Sequence, residues 1–229
     1  MVSDAPVWQC LLKNGVKGIY SCLVRSSDIP KSLNKWSKEL NTEIDVKEIF
    51  DIIFKTTNDS CLSWFQYKLL YRLLPTGHFL YLRKLVDSPR CSLCNHAGET
   101  ILHVFCDCPK IQDDWLDVQN CICTNFTHCN NVIFARDLNI LGSEKNTNTD
   151  RFLDLLILMG KYHIFTAKRQ GNVPRVNTFI IKIKHRFLAE KYYYTVKNLF
   201  SKFTSKWLLY YNIHILCEMQ FVLFFVHFI

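Results

Sequence analysis

Cys91-Ser92-Leu93-Cys94, with His103 and Cys108 following, is the stretch on which the reading of this chain turns. Its spacing is C-x2-C-x8-H-x4-C, which offers three thiolates and one imidazole to a single tetrahedral ion. Two cysteines separated by two residues turn tightly enough to share one metal. Four protein ligands leave no position for water, so the expected ion is structural Zn²⁺, folding the loop rather than catalysing a reaction. The flanks agree: Pro89 gives an extended entry, Gly98 permits a turn, and Pro109 is expected to stop any helix running on from the last ligand. On spacing alone two exchanges stay open, Cys106 for Cys108 and His96 for His103.

Outward from the loop, composition bounds the fold. Of 229 residues, 49% are hydrophobic and 21% charged, with 7 Gly and 6 Pro, which suits a helix-rich globular chain with an ample core rather than disorder. The expected class is mainly α, a multi-helix domain carrying a small Cys3His zinc-stapled loop and no large sheet. Eleven cysteines, an odd number, fit metal-bound and free thiols better than a disulfide framework. Met1 to Tyr20 shows no basic region followed by an apolar core and a cleavage site. The expectation is an intracellular protein, nuclear or cytoplasmic, and not a secreted one.

Charge is unevenly placed. Residues 161–206 hold eleven Lys or Arg against the single acid Glu190, a net of +10. Residues 99–117 hold Glu99, Asp107, Asp113, Asp114 and Asp117 against Lys110. A basic C-terminal region beside an acidic zinc flank suggests an oriented contact with a polyanion.

In chain order, residues 1–57 read as an entry segment with two short amphipathic helices, Lys31–Leu40 and Ile44–Phe54. Residues 58–124 read as a helical pair plus the zinc module. Asn58, Asp59 or Ser60 can cap a helix whose inward stripe is Leu62, Phe65, Leu69 and Leu73, ending at Pro75. Its other face interleaves Trp64, Lys68, Tyr71 and Arg72, with Tyr67 beside them, in the aromatic and basic pattern of a nucleic-acid surface. The same pattern also fits a second packing interface. Phe79–Val86 reads as a further helix with Arg83 and Lys84 outward. After the loop, Ile111, Trp115, Leu116 and Val118 predict a short amphipathic helix, with Trp115 packed on the metal module. Cys121, Cys123, His128 and Cys129 are spaced poorly for a second zinc site.

Residues 125–149 read as a polar connection and 150–211 as a basic helical region. In the latter, Thr149 or Asp150 caps a buried helix from Phe152 to about Arg169 that Gly171 stops. Pro174 opens another with Ile180, Ile183, Phe187 and Tyr194 inward. Lys182 and Arg186 share one face of it, with Lys184 and Lys191 nearby, and ten net charges with few acids to pair them favour phosphate contact over a merely solvated face. The apolar tail, 212–229, contains Glu218, Gln220, His214 and His227, so a membrane span is not expected.

Several stretches together resemble the carboxy-terminal region of LINE-type non-LTR retrotransposon polyproteins, which follows the reverse transcriptase and binds zinc. They are Trp64-Phe65-Gln66-Tyr67-Lys68 with Tyr71-Arg72, Leu82-Arg83-Lys84, Asp87 through Cys94, Glu99 through Phe105, and Cys108-Pro109. Lys161 through Ile164, Asn172-Val173-Pro174 and Ser205 through Leu208 continue the likeness. The resemblance implies Cys91, Cys94, His103 and Cys108 as ligands; Cys106 stands where such proteins usually carry an aromatic residue. It also implies a grip on template RNA or target DNA and a retroelement polymerase as a partner in trans; charge and spacing offer Trp64, Lys68, Tyr71, Arg72, Arg83, Lys84, Lys182, Lys184, Arg186 and Lys191 as the candidate contacts. The palm carboxylates of a polymerase are missing: Asp113-Asp114 is the lone adjacent acidic pair and lies on a predicted helix. No endonuclease set is visible, and no enzymatic activity is expected. The alternative is a protein-interaction or structural element with no nucleic-acid affinity of its own.

Overall fold

The apolar run Leu155 to Met159 lies in a 22-residue helix that touches much of the rest of its unit. The computed structural model describes residues 30–49, 56–95, 98–125, 135–142 and 148–207. By compactness the chain divides into Met1–Val46 and Lys47–Ile229. In the first unit, α1 (Lys31–Leu40) follows Pro30, whose carbonyl accepts from the Leu33 and Asn34 N–H groups. It ends where Asn41 turns left-handed and Thr42 N–H returns to Ser37 O. Leu33 and Trp36 are buried, as their three-residue spacing predicts.

The second unit is helical throughout its described residues, with no strand among them. Its elements are α2 (Ser60–Leu70), α3 (Gly77–Leu82), a π-helical turn (His103–Asp107), α4 (Pro109–Asn125), α5 (Arg136–Leu141), α6 (Asn148–Arg169), α7 (Val176–Val196) and α8 (Phe200–Trp207). Asp59 caps α2, its carboxylate accepting from the Cys61 and Leu62 N–H groups. Thr76 caps α3 through the Phe79 N–H. Packed against α6 are α2, α4 and α7, and α8 folds back on α7. No described helix is long and apolar enough to cross a membrane.

Several expectations change here. Pro109 does not stop a helix but begins α4, because the first turn needs no N–H from that residue. Inward on α4 are Ile111, Trp115, Val118 and Ile122, while Leu116 is exposed. Trp115 packs on α6: a Cβ on Gly160 would lie 2.8 Å from its ring, so the small residue sets how closely the helices approach. Leu73 is also exposed, since α2 ends at Leu70 and the following left-handed Arg72 turns the chain away from the stripe. The expected polar connection contains α5, with Asn139, Ile140 and Leu141 buried. Helix α6 starts at Asn148, which puts Thr149 and Asp150 inside it rather than at its cap. On α7 the inward residues are Phe179, Ile183 and Phe187, shifting the stripe from Ile180. Residues 46–49 are helical, but the helix expected to Phe54 is otherwise outside the described residues from 50 to 55, as are residues 1–29 of the entry segment, His128, Cys129 and the apolar tail.

A polar knot sits inside this apolar frame. Lys161 is buried, and its ammonium donates to Gln66 Oε1 at 2.8 Å and to Ile140 O at 3.3 Å, while Gln66 Nε2 also donates to that carbonyl. Burial draws the Lys161 pKa down to about 7 against the pull of Asp154 and Cys106. One lysine thereby joins α2, α5 and α6.

Candidate metal centre

The loop is built from turns that aim sulfur inward. Asn95 N–H bonds back to Cys91 O at 2.9 Å, with Asn95 in the left-handed region, closing a tight turn over the first two cysteines. Thr100 starts the next segment, its hydroxyl accepting from the His103 N–H. The chain from His103 to Asp107 then winds as a π-helix. Hydrogen bonding from i to i+5 brings Cys108 back over His103 and leaves Cys106 on a different side. Phe105 anchors this turn to the helices, meeting Phe65 of α2 at 6.2 Å and Phe165 of α6 at 6.5 Å between ring centroids.

The sulfur atoms of Cys91, Cys94 and Cys108 and a ring nitrogen of His103 all lie within 4.8 Å of one another. Cys91 and Cys108 Sγ are 4.0 Å apart, and Cys94 Sγ is 3.3 Å from His103 Nε2. Ligands at tetrahedral zinc distances stand about 3.3–3.8 Å apart, so small movements suffice to accept the ion. Electrostatics argue the same way. Burial raises the Cys91 thiol and pushes Cys108 up to about 12, yet backbone N–H groups of Cys94 and Leu93 point at the first sulfur and that of Lys110 at the second. Donors aimed at buried sulfur are the outer support of a metal thiolate.

Of the exchanges left open by spacing, that of Cys106 for Cys108 closes here. Cys106 is outside the cluster, half-buried beside Asp107, Arg136 and Lys161, with its thiol pushed up to about 12 by burial. His96 lies outside the described residues.

Residues 32–115 match the family described as zinc-binding in reverse transcriptase. No curated protein matches the chain. The match and the Cys3His cluster that lies within it together assign structural zinc to Cys91, Cys94, His103 and Cys108.

Its acidic flank serves the fold. Glu99 is buried, pairs with Lys168 of α6 at 2.7 Å and accepts the Gly77 N–H at 2.7 Å, while its backbone bonds to Pro89 and His78. A Cβ on Gly77 would meet the Pro89 carbonyl at 3.0 Å, so glycine admits this close crossing. Asp107 pairs with Arg136. Sequence reading counted both acids only as local charge, and nothing in their neighbourhood marked partners 69 and 29 residues away.

The expected nucleic-acid residues divide into groups. Along α2, exposed Trp64 meets Tyr67 edge-on at 5.3 Å, and Tyr67 stacks on half-buried Tyr71 at 4.4 Å. Burial and then Tyr67 raise the Tyr71 phenol. Lys68 is exposed beside this strip, and Arg72 is half-buried. After α3, Lys84 is exposed and Arg83 lies over the Phe79 ring at 3.5 Å. On α7, Lys184 and Lys191 are half-exposed.

Arg186 departs from its expected role. Its guanidinium donates to Asp59 Oδ2 at 2.9 Å, Glu190 Oε1 at 2.7 Å and Thr57 Oγ1 at 2.9 Å. Carboxylates from α7 and from the cap of α2 converge on it, so it ties the fold together. Glu190 also receives Lys206 and the Trp207 indole N–H, at 2.9 and 2.7 Å. Burial works to raise its carboxyl, but Lys206, Trp207 and Arg186 outweigh burial and hold it below the usual range.

Proposed function

We propose that the chain is a non-catalytic, zinc-stabilised nucleic-acid-binding module of a LINE-type retrotransposon reverse transcriptase. The observation carrying this reading is the match of residues 32–115 to the reverse-transcriptase zinc-binding family. Exposed Trp64 beside Lys68, and half-exposed Lys184 and Lys191 on α7, support it. The cations would neutralise phosphates with little regard to sequence, and Trp64 would stack on an unpaired base. Template RNA is the first expected partner and target DNA the second, with a retroelement polymerase in trans supplying the chemistry and a nuclear or cytoplasmic setting.

Binding of labelled single-stranded RNA and duplex DNA to the zinc-loaded chain across a salt series tests the reading. Affinity should fall linearly with salt on logarithmic axes, and Lys184→Glu with Lys191→Glu should flatten the slope by about 2. A folded, zinc-loaded chain that binds neither nucleic acid would overturn it. One observation favours a protein-interaction element instead: Leu82 and Leu85 are 65% and 67% exposed beside Tyr81 and Val86.

A further inference from the structure

Between the end of α6 and the start of α7 the surface opens into a cleft of about 770 Å³, within the range of roughly 300–1,000 Å³ typical of ligand sites. Its floor is an unusual pair. His163 is buried, and its Nδ1 lies 3.2 Å from Lys182 Nζ while its Nε2 lies 3.1 Å from Arg175 O. Lysine can only donate, so Nδ1 accepts and Nε2 carries the proton given to the carbonyl; the imidazole is neutral. Lys182 is therefore held by a neutral ring, with no carboxylate bonded to it among the described residues, whereas Arg186, one turn along the same helix, has two.

The consequences for charge are consistent. Burial lowers the Lys182 pKa with no acid opposing it, and burial followed by the Lys182 charge lowers that of His163. An ammonium drawn from water into a concave site, with no counter-ion, is where an anion gains most. Arg175 adds a second cation at the rim. The remaining lining is neither a bare anion hole nor an apolar slot. Gln170 and Asn172 present amides able both to donate and to accept, Tyr162, its ring edge-on to Phe65, forms part of the wall, and the volume far exceeds the needs of one phosphate.

We infer that this cleft is a nucleotide subsite: it takes one unpaired nucleotide of a nucleic-acid strand, with phosphate against Lys182 and Arg175 and sugar and base among Tyr162, Gln170 and Asn172. The inference rests on the nucleic-acid reading above and deepens it. It adds a single-strand contact at the junction of α6 and α7.

The test uses the full zinc-loaded chain and a fluorescent oligouridylate, intact or with one internal abasic position. Lys182→Met should weaken binding about threefold to tenfold and reduce the salt slope by about 1. Gln170→Ala with Asn172→Ala, on exposed positions that fold without them, should weaken binding to the intact strand and abolish the chain's preference for it over the abasic one. Zinc content and far-ultraviolet circular dichroism report folding of each variant. Wild-type binding that the folded loop variants leave unchanged overturns the subsite and leaves the nucleic-acid reading standing. Absence of wild-type binding overturns both.

Discussion

In the metal loop, three thiols and an imidazole gather at a point that calls for a cation; along α7, cations gather and two carboxylates reach only some of them. The loop is uniform, since every ligand answers to one ion and the backbone N–H groups around it point at sulfur. The helix is divided. Arg186 is closed off by Asp59 and Glu190, while Lys182, one turn earlier, leans on a neutral histidine. Net charge therefore overstates the surface available to a polyanion: what counts is which cations lack a carboxylate, and that is settled by folding.

Removing the metal should make the largest difference between the two regions. Structural zinc contributes on the order of 10 kcal/mol at neutral pH, so chelation or Cys108→Ser should expose the amides of residues 91–108 to rapid hydrogen exchange. Helices α7 and α8, tied by Glu190, should retain more protection. Equal loss of protection in both would show that they are one cooperative unit rather than two differently held regions.

A smaller effect is expected at the other end. Glu190→Ala leaves Arg186 with Asp59 and Thr57 and strands Lys206, a loss of about 3 kcal/mol for breaking a buried pair, readable by chemical denaturation. The wild-type carboxyl is held below its usual range, so its contribution is present above the unfolded pKa near 4.5 and fades as pH falls through the folded value. The variant should lose that acid sensitivity, and a wild-type acid profile in Glu190→Ala would remove Glu190 from the account. With Lys206 released and Arg186 still held by Asp59, RNA affinity should rise slightly, sharpening the contrast between closed and open cations.

The smallest effect per unit of pH lies between the two regions, at Lys161. Its folded pKa near 7 is below its ordinary 10.5, so between these values the unfolded chain holds a proton that the folded chain lacks. Stability should rise with pH there by about 1 kcal/mol per unit, and the difference between wild type and Lys161→Met isolates this slope from the thiols. Parallel profiles for the two proteins would mean that Lys161 stays charged in its knot.

The ligand set was legible because zinc constrains residue type and spacing within 18 consecutive residues. The helices α1, α2, α6 and α7 were legible for a similar reason, their apolar residues recurring at three and four. What stayed hidden depends on partners far apart in the chain: Gln66 with Lys161, Glu99 with Lys168, Asp59 with Arg186. Helix α8 was missed because its inward residues, Phe203 and Trp207, are one apolar pair in a short basic stretch. Pro109 misled because the same missing N–H that ends one helix suits the start of another.

Asp59 carries one last consequence, for the order of assembly. Its Oδ1 serves the Cys61 and Leu62 N–H groups next to it, whereas its Oδ2 awaits an arginine 127 residues downstream. During synthesis the cap of α2 and the metal loop can form before α7 has left the ribosome, since both close over short spans and local closure is fast. The docking of α7 comes later and at greater entropic cost, and it meets a carboxylate already oriented by the helix it caps. A newly made chain can thus hold zinc while its basic end is still an unclosed polycation, before its own acids claim Arg186.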